Sequence, residues 1–345
     1  MSGEYDITSK FNREYSLVSR KIMRLISEDS RITVAEIAKK VGLSRPTVKL
    51  KLSAMQKELG ITYTLELDER ALGFTSPHLI AVKFKRKPDY DKITALLLKS
   101  YIPQVAFSTS GSYDLVIYAN AFSTSDYAHW DKSMSILLGE YGAEWQPSEV
   151  VHRQLGFFPI RSNVLDRARI DDKYKEMLKL LNENAKLSFQ QLSKALNIHF
   201  NTVKYNYNKL IKLGYIKRPT ITINPPKNLS IMTFFSNYTP VKGYESSSAT
   251  ARLAFMNDDS DPLISRYLIC APLIGRHDFF TTGVFDSFNA AYNADILYHK
   301  RIFLKHHIKI LYAELNKLLL GRLPIRSVNT KNEYNKIIWE PDFGK

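Results

Sequence analysis

Two short runs of the 345-residue chain place cationic, amide and hydroxyl side chains at helical spacing in front of an apolar stripe. In the first, Val48, Leu52, Met55 and Leu59 recur at the interval of one helix face. Pro46, Lys49, Ser53 and Lys57 lie opposite, with Ser44, Arg45 and Thr47 at the N-terminal end. In the second, Val203, Tyr207 and Leu210 form the stripe. Asn201, Lys204, Tyr205, Asn208 and Lys212 point away from it, with His199 and Thr202 at the start. Lysine neutralises a phosphate as a point charge; arginine forks onto guanine edges or a phosphate, and asparagine pairs bidentately with adenine. These types on one helix face suit double-stranded DNA.

Such faces need a scaffold, and the flanking residues supply one. Ile22, Leu25 and Ile26 stripe a first helix. Thr33-Val-Ala-Glu36 has capping-box spacing, and Val34, Ile37, Ala38 and Val41 follow on one face. Gly42 stands where a left-handed helix end is wanted, and Ser44 caps the next helix with Pro46 in its first turn. Helix, short turn and capped basic helix is the helix-turn-helix arrangement, whose second helix enters the major groove. The second run keeps the core (Phe189, Leu192, Leu196, Val203, Tyr207, Leu210) and puts Asn197 at the turn. His199 stands where Ser44 does, which leaves Asn201 as the expected cap; a capping Asn201 would not be free to read a base.

The plainer reading of one such pattern is a protein-interaction module with a solvated lysine face. Charge placement argues against it. Residues 1–62 carry 12 Lys/Arg against 7 Asp/Glu, and residues 162–228 carry 13 against 5, so +13 of the net +15 lies in these two segments. Two concentrated basic segments point to a polyanion partner.

The segments also repeat. At an offset of 155, Leu25 falls on Leu180, Ile37 on Leu192, Val41 on Leu196, Thr47 on Thr202, Val48 on Val203 and Lys49 on Lys204. Gly111-Ser-Tyr-Asp114 aligns with Gly275-Arg-His-Asp278 at an offset of 164, and Pro159-Ile-Arg-Ser162 with Pro324-Ile-Arg-Ser327 at 165. After each third helix the pattern predicts an extended stretch (61–67; 216–223) and a strand (79–84; 230–235), then a helix (90–99; 245–255) and two strands (105–109 and 113–118; 267–271 and 278–283). A longer helix (125–138; 287–298) and a last extended segment complete each unit. The order β-α-β-β-α-β is the ferredoxin-like split βαβ arrangement. The expected fold is therefore α+β: two repeats of a helix-turn-helix domain followed by a ferredoxin-like βαββαβ domain. The expected domains are 15–62, 63–161, 162–218 and 219–328, with tails at 1–14 and 329–345. The open sheet faces, Ile80, Val82 and Phe84 in one unit and Ile231, Thr233 and Phe235 in the other, are expected to meet in an intramolecular pseudo-dimer. A homodimer about a two-fold axis is the alternative.

The string Ile37-Ala-Lys-Lys-Val-Gly-Leu-Ser-Arg-Pro-Thr-Val48, the link Leu67-Asp-Glu-Arg-Ala-Leu-Gly73 and the turn Gly111–Asp114 resemble the leucine-responsive regulatory protein (Lrp/AsnC) family of bacterial and archaeal regulators. The likeness covers residues 15–161 and, more weakly, 170–326. It implies a transcription regulator that binds DNA, a sheet domain that dimerises and assembles further, and an amino acid or related small molecule as effector. It also implies effector binding near the turn between the second and third strands, here Ser110, Gly111, Tyr113 and Asp114, and Gly275, His277 and Asp278. The second unit departs from the pattern with His277 in place of Tyr113 and with an acidic loop at 257–261. Two tandem units also depart from the single-unit family plan. The plain alternative for the turns is structural: glycine permits them and aspartate caps them.

Sirohaem decarboxylases resemble paired units of this kind, so a tetrapyrrole decarboxylase is the alternative function. It would need converging His and Arg residues, and the first strands (78–84 and 231–235) lack such a cluster. No catalytic, metal or cofactor site is expected: His299, His306 and His307 lack matching carboxylate or thiolate ligands, and no phosphate loop or nucleophile elbow is present. The single cysteine, Cys270, sits in an apolar run that reads as a buried strand. The first residues lack a signal core and no run of about 18 apolar residues occurs, so a cytoplasmic protein is expected.

Overall fold

The computed structural model describes residues 17–151, 156–224, 230–240, 267–285, 287–302 and 306–324. The apolar stripes of the two basic segments fold into two helical trios. The first is α1 (Leu17–Glu28), α2 (Val34–Val41) and α3 (Arg45–Leu59). The second is α6 (Asp172–Glu183), α7 (Phe189–Leu196) and α8 (Phe200–Lys212). The extended stretches that follow are β1 (Thr62–Leu67) and β6 (Ile216–Ile223). They pair antiparallel with each other, and β11 (Leu323–Pro324) adds to the free side of β6. Sequence periodicity gave no sign that these strands, 154 residues apart at their starts, would meet.

The shared sheet interlocks the two trios. Ile22, Ile26, Ile37, Val48 and Leu52 of the first pack against Ile221 and Ile223 of β6. Met177, Leu181, Leu192, Val203 and Leu210 of the second pack against Leu65 and Leu67 of β1. Each helix-turn-helix core is thus closed partly by the strand that follows the other one. Arg31 reinforces the joint: its guanidinium donates to the Ala185 carbonyl at 2.7 Å and lies 5.0 Å from the Phe189 ring centre and 5.2 Å from that of Tyr207.

The remaining strands are β2 (Ser76–Lys83), β3 (Pro103–Gly111), β4 (Leu115–Ala121), β5 (Glu144–Val150), β7 (Ser230–Pro240), β8 (Tyr267–Gly275), β9 (Phe279–Phe285) and β10 (His306–Leu320). Helices α4 (Tyr90–Leu98), α5 (Thr124–Leu137) and α9 (Phe288–Ile302) connect them. Two separate sheets were the expectation. The eight strands instead close one barrel in the order β10-β3-β4-β2-β5-β8-β9-β7. Within it the two stretches run β3-β4-β2-β5 and β8-β9-β7-β10, the same order by position in each half. The halves join at β5/β8, where Ser148 pairs with Gly275, and at β3/β10, where Gly111 pairs with Ala313. Closure pairs strand edges that two open sheets would leave exposed.

The predicted inner face is corrected by one residue in the first half. Ile80, Val82 and Phe84 pack outward, under Ile93 and Leu97 of α4 and Trp130 and Met134 of α5. Leu79 and Ala81 face the barrel interior with Phe107, Tyr118, Phe235 and Phe280. In the second half Phe235 points inward as expected, and Thr233 is buried against Thr282. The slip arises because β2 is buried on both faces, so its residues show no polar alternation to mark the inside. Cys270 is buried, as its apolar context predicts.

The helix expected at 245–255, the acidic loop at 257–261, residues 225–229 and both tails lie outside the described residues, as do the side chains of His299, His306 and His307. Among the described residues no helix is long and apolar enough to cross a membrane.

Candidate nucleic-acid interface

Local capping fixes the starts of both candidate reading helices, α3 and α8. In the first unit Thr33 and Glu36 form the reciprocal box, with the Thr33 amide donating to Glu36 Oε2 at 2.8 Å and the Glu36 amide to Thr33 Oγ1 at 3.2 Å. The Thr33 amide and hydroxyl, both donating to Glu36 Oε2, hold this carboxyl below the usual carboxylate range. Gly42 takes the left-handed conformation (φ 70°) and turns the chain into α3. Ser44 Oγ accepts from the Thr47 amide at 3.3 Å and lies 2.8 Å from Thr47 Oγ1, so Ser44 and Thr47 serve the cap. Val48, Leu52, Met55 and Leu59 are buried, while Arg45, Pro46, Lys49, Ser53 and Lys57 are exposed.

The second unit repeats the device with other residues. Ser188 and Gln191 make the box, and Asn197 holds the left-handed position at φ 50°. The cap of α8 is His199, whose Nδ1 accepts from the Asn201 amide at 3.2 Å. That corrects the expectation that Asn201 would cap, and it leaves the Asn201 side chain available. Asn201, Thr202, Lys204, Tyr205, Asn208 and Lys212 are all exposed.

Charge pairing separates these cations from their neighbours. Lys173, Lys175 and Lys179 pair with Asp171, Asp172 and Asp166/Glu176, and Lys217 and Arg218 pair with Asp68 and Glu66. Among the described residues Arg45, Lys49, Lys57, Lys204 and Lys212 have no acidic partner. Two exposed helices with uncompensated positive charge are what phosphate contact requires.

The turns between the second and third strands of each half sit at the barrel joints. Gly111 has φ +124°, and a Cβ there would stand 2.6 Å from the Tyr312 carbonyl of the opposing strand. Asp114 accepts from the Phe84 amide and from Lys83 Nζ, both at 2.8 Å, and Asp278 accepts from the Tyr238 amide at 2.7 Å. Ser110 Oγ bonds Asn316 Oδ1 at 3.2 Å. The aspartates and Ser110 are therefore engaged in holding strands together. Tyr113 and His277, from the two turns, meet each other: the phenol oxygen lies 2.7 Å from His277 Nε2, and both residues are buried. Burial, aided by Arg276 and Lys309, pulls the imidazole pKa down to about 4, and burial pushes the Tyr113 phenol up to about 12. His277 is therefore a neutral ring with one acceptor nitrogen for the phenol; its Nδ1 lies 3.0 Å from Asn237 Oδ1. The phenol's single proton is shared between His277 Nε2 and Gln146 Oε1, which lies 3.1 Å from the phenol oxygen. With Glu144, Trp145, Pro147 and Arg276, Gln146 lines an open cleft of about 430 Å3, which sequence reasoning missed because the strands that build it belong to different halves.

A family profile described as winged helix-turn-helix DNA-binding matches residues 17–58 and 170–217, the two helical trios. The regulatory protein AsnC of Haemophilus influenzae is 30% identical over 101 residues, which span 29% of this chain and 67% of that protein. An HTH-type transcriptional regulator of Pyrococcus furiosus is 26% identical over 119 residues, 34% of this chain and 79% of that protein. In fold, the crystal structure of the siroheme decarboxylase NirDL is similar along most of the chain, with a TM-score of 0.55, 11% identity and coverage of 89% of this chain and 94% of that one. The chain is thus a winged helix-turn-helix protein built twice over. It belongs to the Lrp/AsnC family of transcription regulators.

Proposed function

We propose that this regulator binds DNA sequence-specifically through α3 and α8, reading two unlike half-sites with one chain. The observation that carries the proposal is the pair of exposed, acid-free reading faces. Arg45, with Lys49 and Lys57, is suited to guanine edges and phosphates in one half-site, whereas Asn201 and Asn208 are suited to adenine in the other. Ser53, Thr202, Lys204, Tyr205 and Lys212 complete the contact, and Ser44, Thr47 and His199 set the helix starts. The domains expected at 15–62, 63–161, 162–218 and 219–328 keep their order with the joins moved past β1 and β6, whose residues close the helix-turn-helix cores, and the joined halves act as an intramolecular pair, the role a second chain plays in single-unit relatives.

A small-molecule effector, an amino acid or a related compound, is assigned to the joint that Ser110, Gly111, Tyr113, Asp114, Gly275, His277 and Asp278 build. The cleft beside it offers Arg276 for a carboxylate and Glu144 for an ammonium group. The protein acts as a regulator and not as an enzyme, in the cytoplasm. The likeness to siroheme decarboxylase is one of fold, and the tetrapyrrole reading is tested by adding sirohaem to the purified protein: an altered absorbance spectrum would favour the enzyme.

The regulator reading is tested by salt. With some 6–10 phosphate contacts, affinity for duplex DNA should fall on the order of a thousandfold or more between roughly 50 and 200 mM salt. A flat response, or no binding at low salt, refutes it.

A further inference from the structure

Each reading helix carries an apolar side chain at its outermost point. Leu50 is 73% exposed and Tyr205 is 62% exposed. At about 100° per residue, Leu50 lies opposite the buried stripe of Val48, Leu52, Met55 and Leu59, one turn after Pro46 and one before Ser53. Tyr205 holds the same place on α8, opposite Val203, Tyr207 and Leu210 and between Asn201 and Asn208. The two residues are separated by the 155-residue offset that relates the units. One exposed leucine is ordinary. Two apolar residues at equivalent outermost positions, each inside a face whose cations lack acidic partners, suit a partner that is anionic at its edges and apolar at its centre.

A major groove has that character: phosphates line its walls, and the C5 methyl of thymine is the apolar group on its floor. We propose that Leu50 and Tyr205 each read a thymine through its methyl group, one in each half-site. This deepens the DNA-binding reading and rests on it. Lys49 and Lys204, one position earlier, lean toward a phosphate wall and hold the helix axis in the groove. Asn201 and Asn208 flank Tyr205 by one turn, so the second half-site combines adenine and thymine, whereas the first sets a thymine beside the guanine suited to Arg45.

Deoxyuridine differs from thymidine only by that methyl, which makes the test direct. Duplexes selected by the wild-type protein from a random pool are resynthesised with deoxyuridine for thymidine, one half-site at a time. Wild-type binding should weaken about fourfold per contacted methyl, the fold-change equivalent of one buried methyl group. Leu50→Ala should bind both forms of the first half-site equally, and Tyr205→Ala both forms of the second. Both variants should keep the wild-type salt slope, because no cation is removed. Equal binding of thymidine and deoxyuridine duplexes by the wild type, or a preference that survives both substitutions, overturns the proposal and leaves salt-dependent regulator binding intact. Failure to select any duplex overturns the regulator reading itself.

Discussion

Thr64 and Thr220 face each other in register across β1 and β6, and each hydroxyl reaches into the opposite helix-turn-helix. Thr64 Oγ1 donates to the Asn182 carbonyl at the end of α6 at 2.6 Å, and Thr220 Oγ1 donates to the Ser27 carbonyl at the end of α1 at 2.7 Å. Backbone bonds repeat the exchange: the Ala185 amide donates to Tyr63 O and the Ser30 amide to Pro219 O, both at 3.1 Å. A local two-fold relation therefore runs between the two threonines. Thr64→Val or Thr220→Val leaves a buried carbonyl without this donor and should cost roughly 1–3 kcal/mol. Urea unfolding measures it, and an unchanged midpoint in both variants would show the exchange to be incidental.

The reading faces separate by chemistry. Lys49→Ala and Lys204→Ala should weaken binding to all sequences alike and lower the salt slope by about one unit each. Arg45→Ala and Asn208→Ala should cost roughly 1–3 kcal/mol and relax one base position apiece. Footprints of the four variants distinguish the two classes. Protection of a single half-site by the wild type would make α8 a scaffold.

Gly111 and Gly275 occupy equivalent turns with unequal room. A Cβ at Gly111 meets the Tyr312 carbonyl at 2.6 Å, whereas one at Gly275 meets the Pro147 carbonyl at 3.1 Å. Both positions have φ values that side chains disfavour, +124° and +136°. Alanine should therefore destabilise at both, by on the order of 1–3 kcal/mol from backbone strain, and by more at 111 because backbone must also move. Melting curves that rank the pair the other way would contradict the packing at β3/β10.

His277 makes stability depend on acidity. Its folded pKa of about 4 lies below the ordinary value near 6.5, so between them the unfolded chain binds a proton that the folded chain refuses. This contribution is complete above about pH 6.5 and is lost progressively as pH falls toward 4. His277→Gln should shrink the difference between unfolding free energies measured at pH 7 and pH 5. An identical difference in variant and wild type would mean that the ring is not held neutral.

Residues 1–165 alone would expose the edges of β3 and β5, which in the whole chain pair with β10 and β8. The fragment should associate or aggregate. A well-behaved monomer with a native-like melt would show that the first half needs no partner.

The helical part of the fold was legible because its signals are local. Thr33 with Glu36, Gly42 and Ser44 each act within four residues, and the observed caps use them. His199 escaped because an imidazole nitrogen is an unusual cap; it accepts the bond expected of Asn201. The strands were found but not their partners. Pairing of β1 with β6 and of β3 with β10 depends on contacts some 150 to 200 residues apart, for which periodicity carries no information. The inner face of β2 was misjudged for a related reason, since Leu79 and Ile80 are both apolar and both buried. The Tyr113–His277 contact joins positions that alignment had set apart as a mismatch between copies.

That mismatch has a consequence of its own. In a dimer of identical chains, a two-fold axis brings each residue at the axis against its own copy, a phenol against a phenol or an imidazole against an imidazole. Two neutral imidazoles or two phenols must then break their symmetry to share a proton. Joining both halves in one polypeptide removes the constraint, so a donor can stand on one side of the joint and a matched acceptor on the other. Tyr113 and His277 form such an unlike pair, and α3 and α8 differ in the same manner on their exposed faces. The chain thus has the combinatorial freedom of a heterodimer with its stoichiometry fixed at one to one, and its halves cannot dissociate and exchange partners with related regulators.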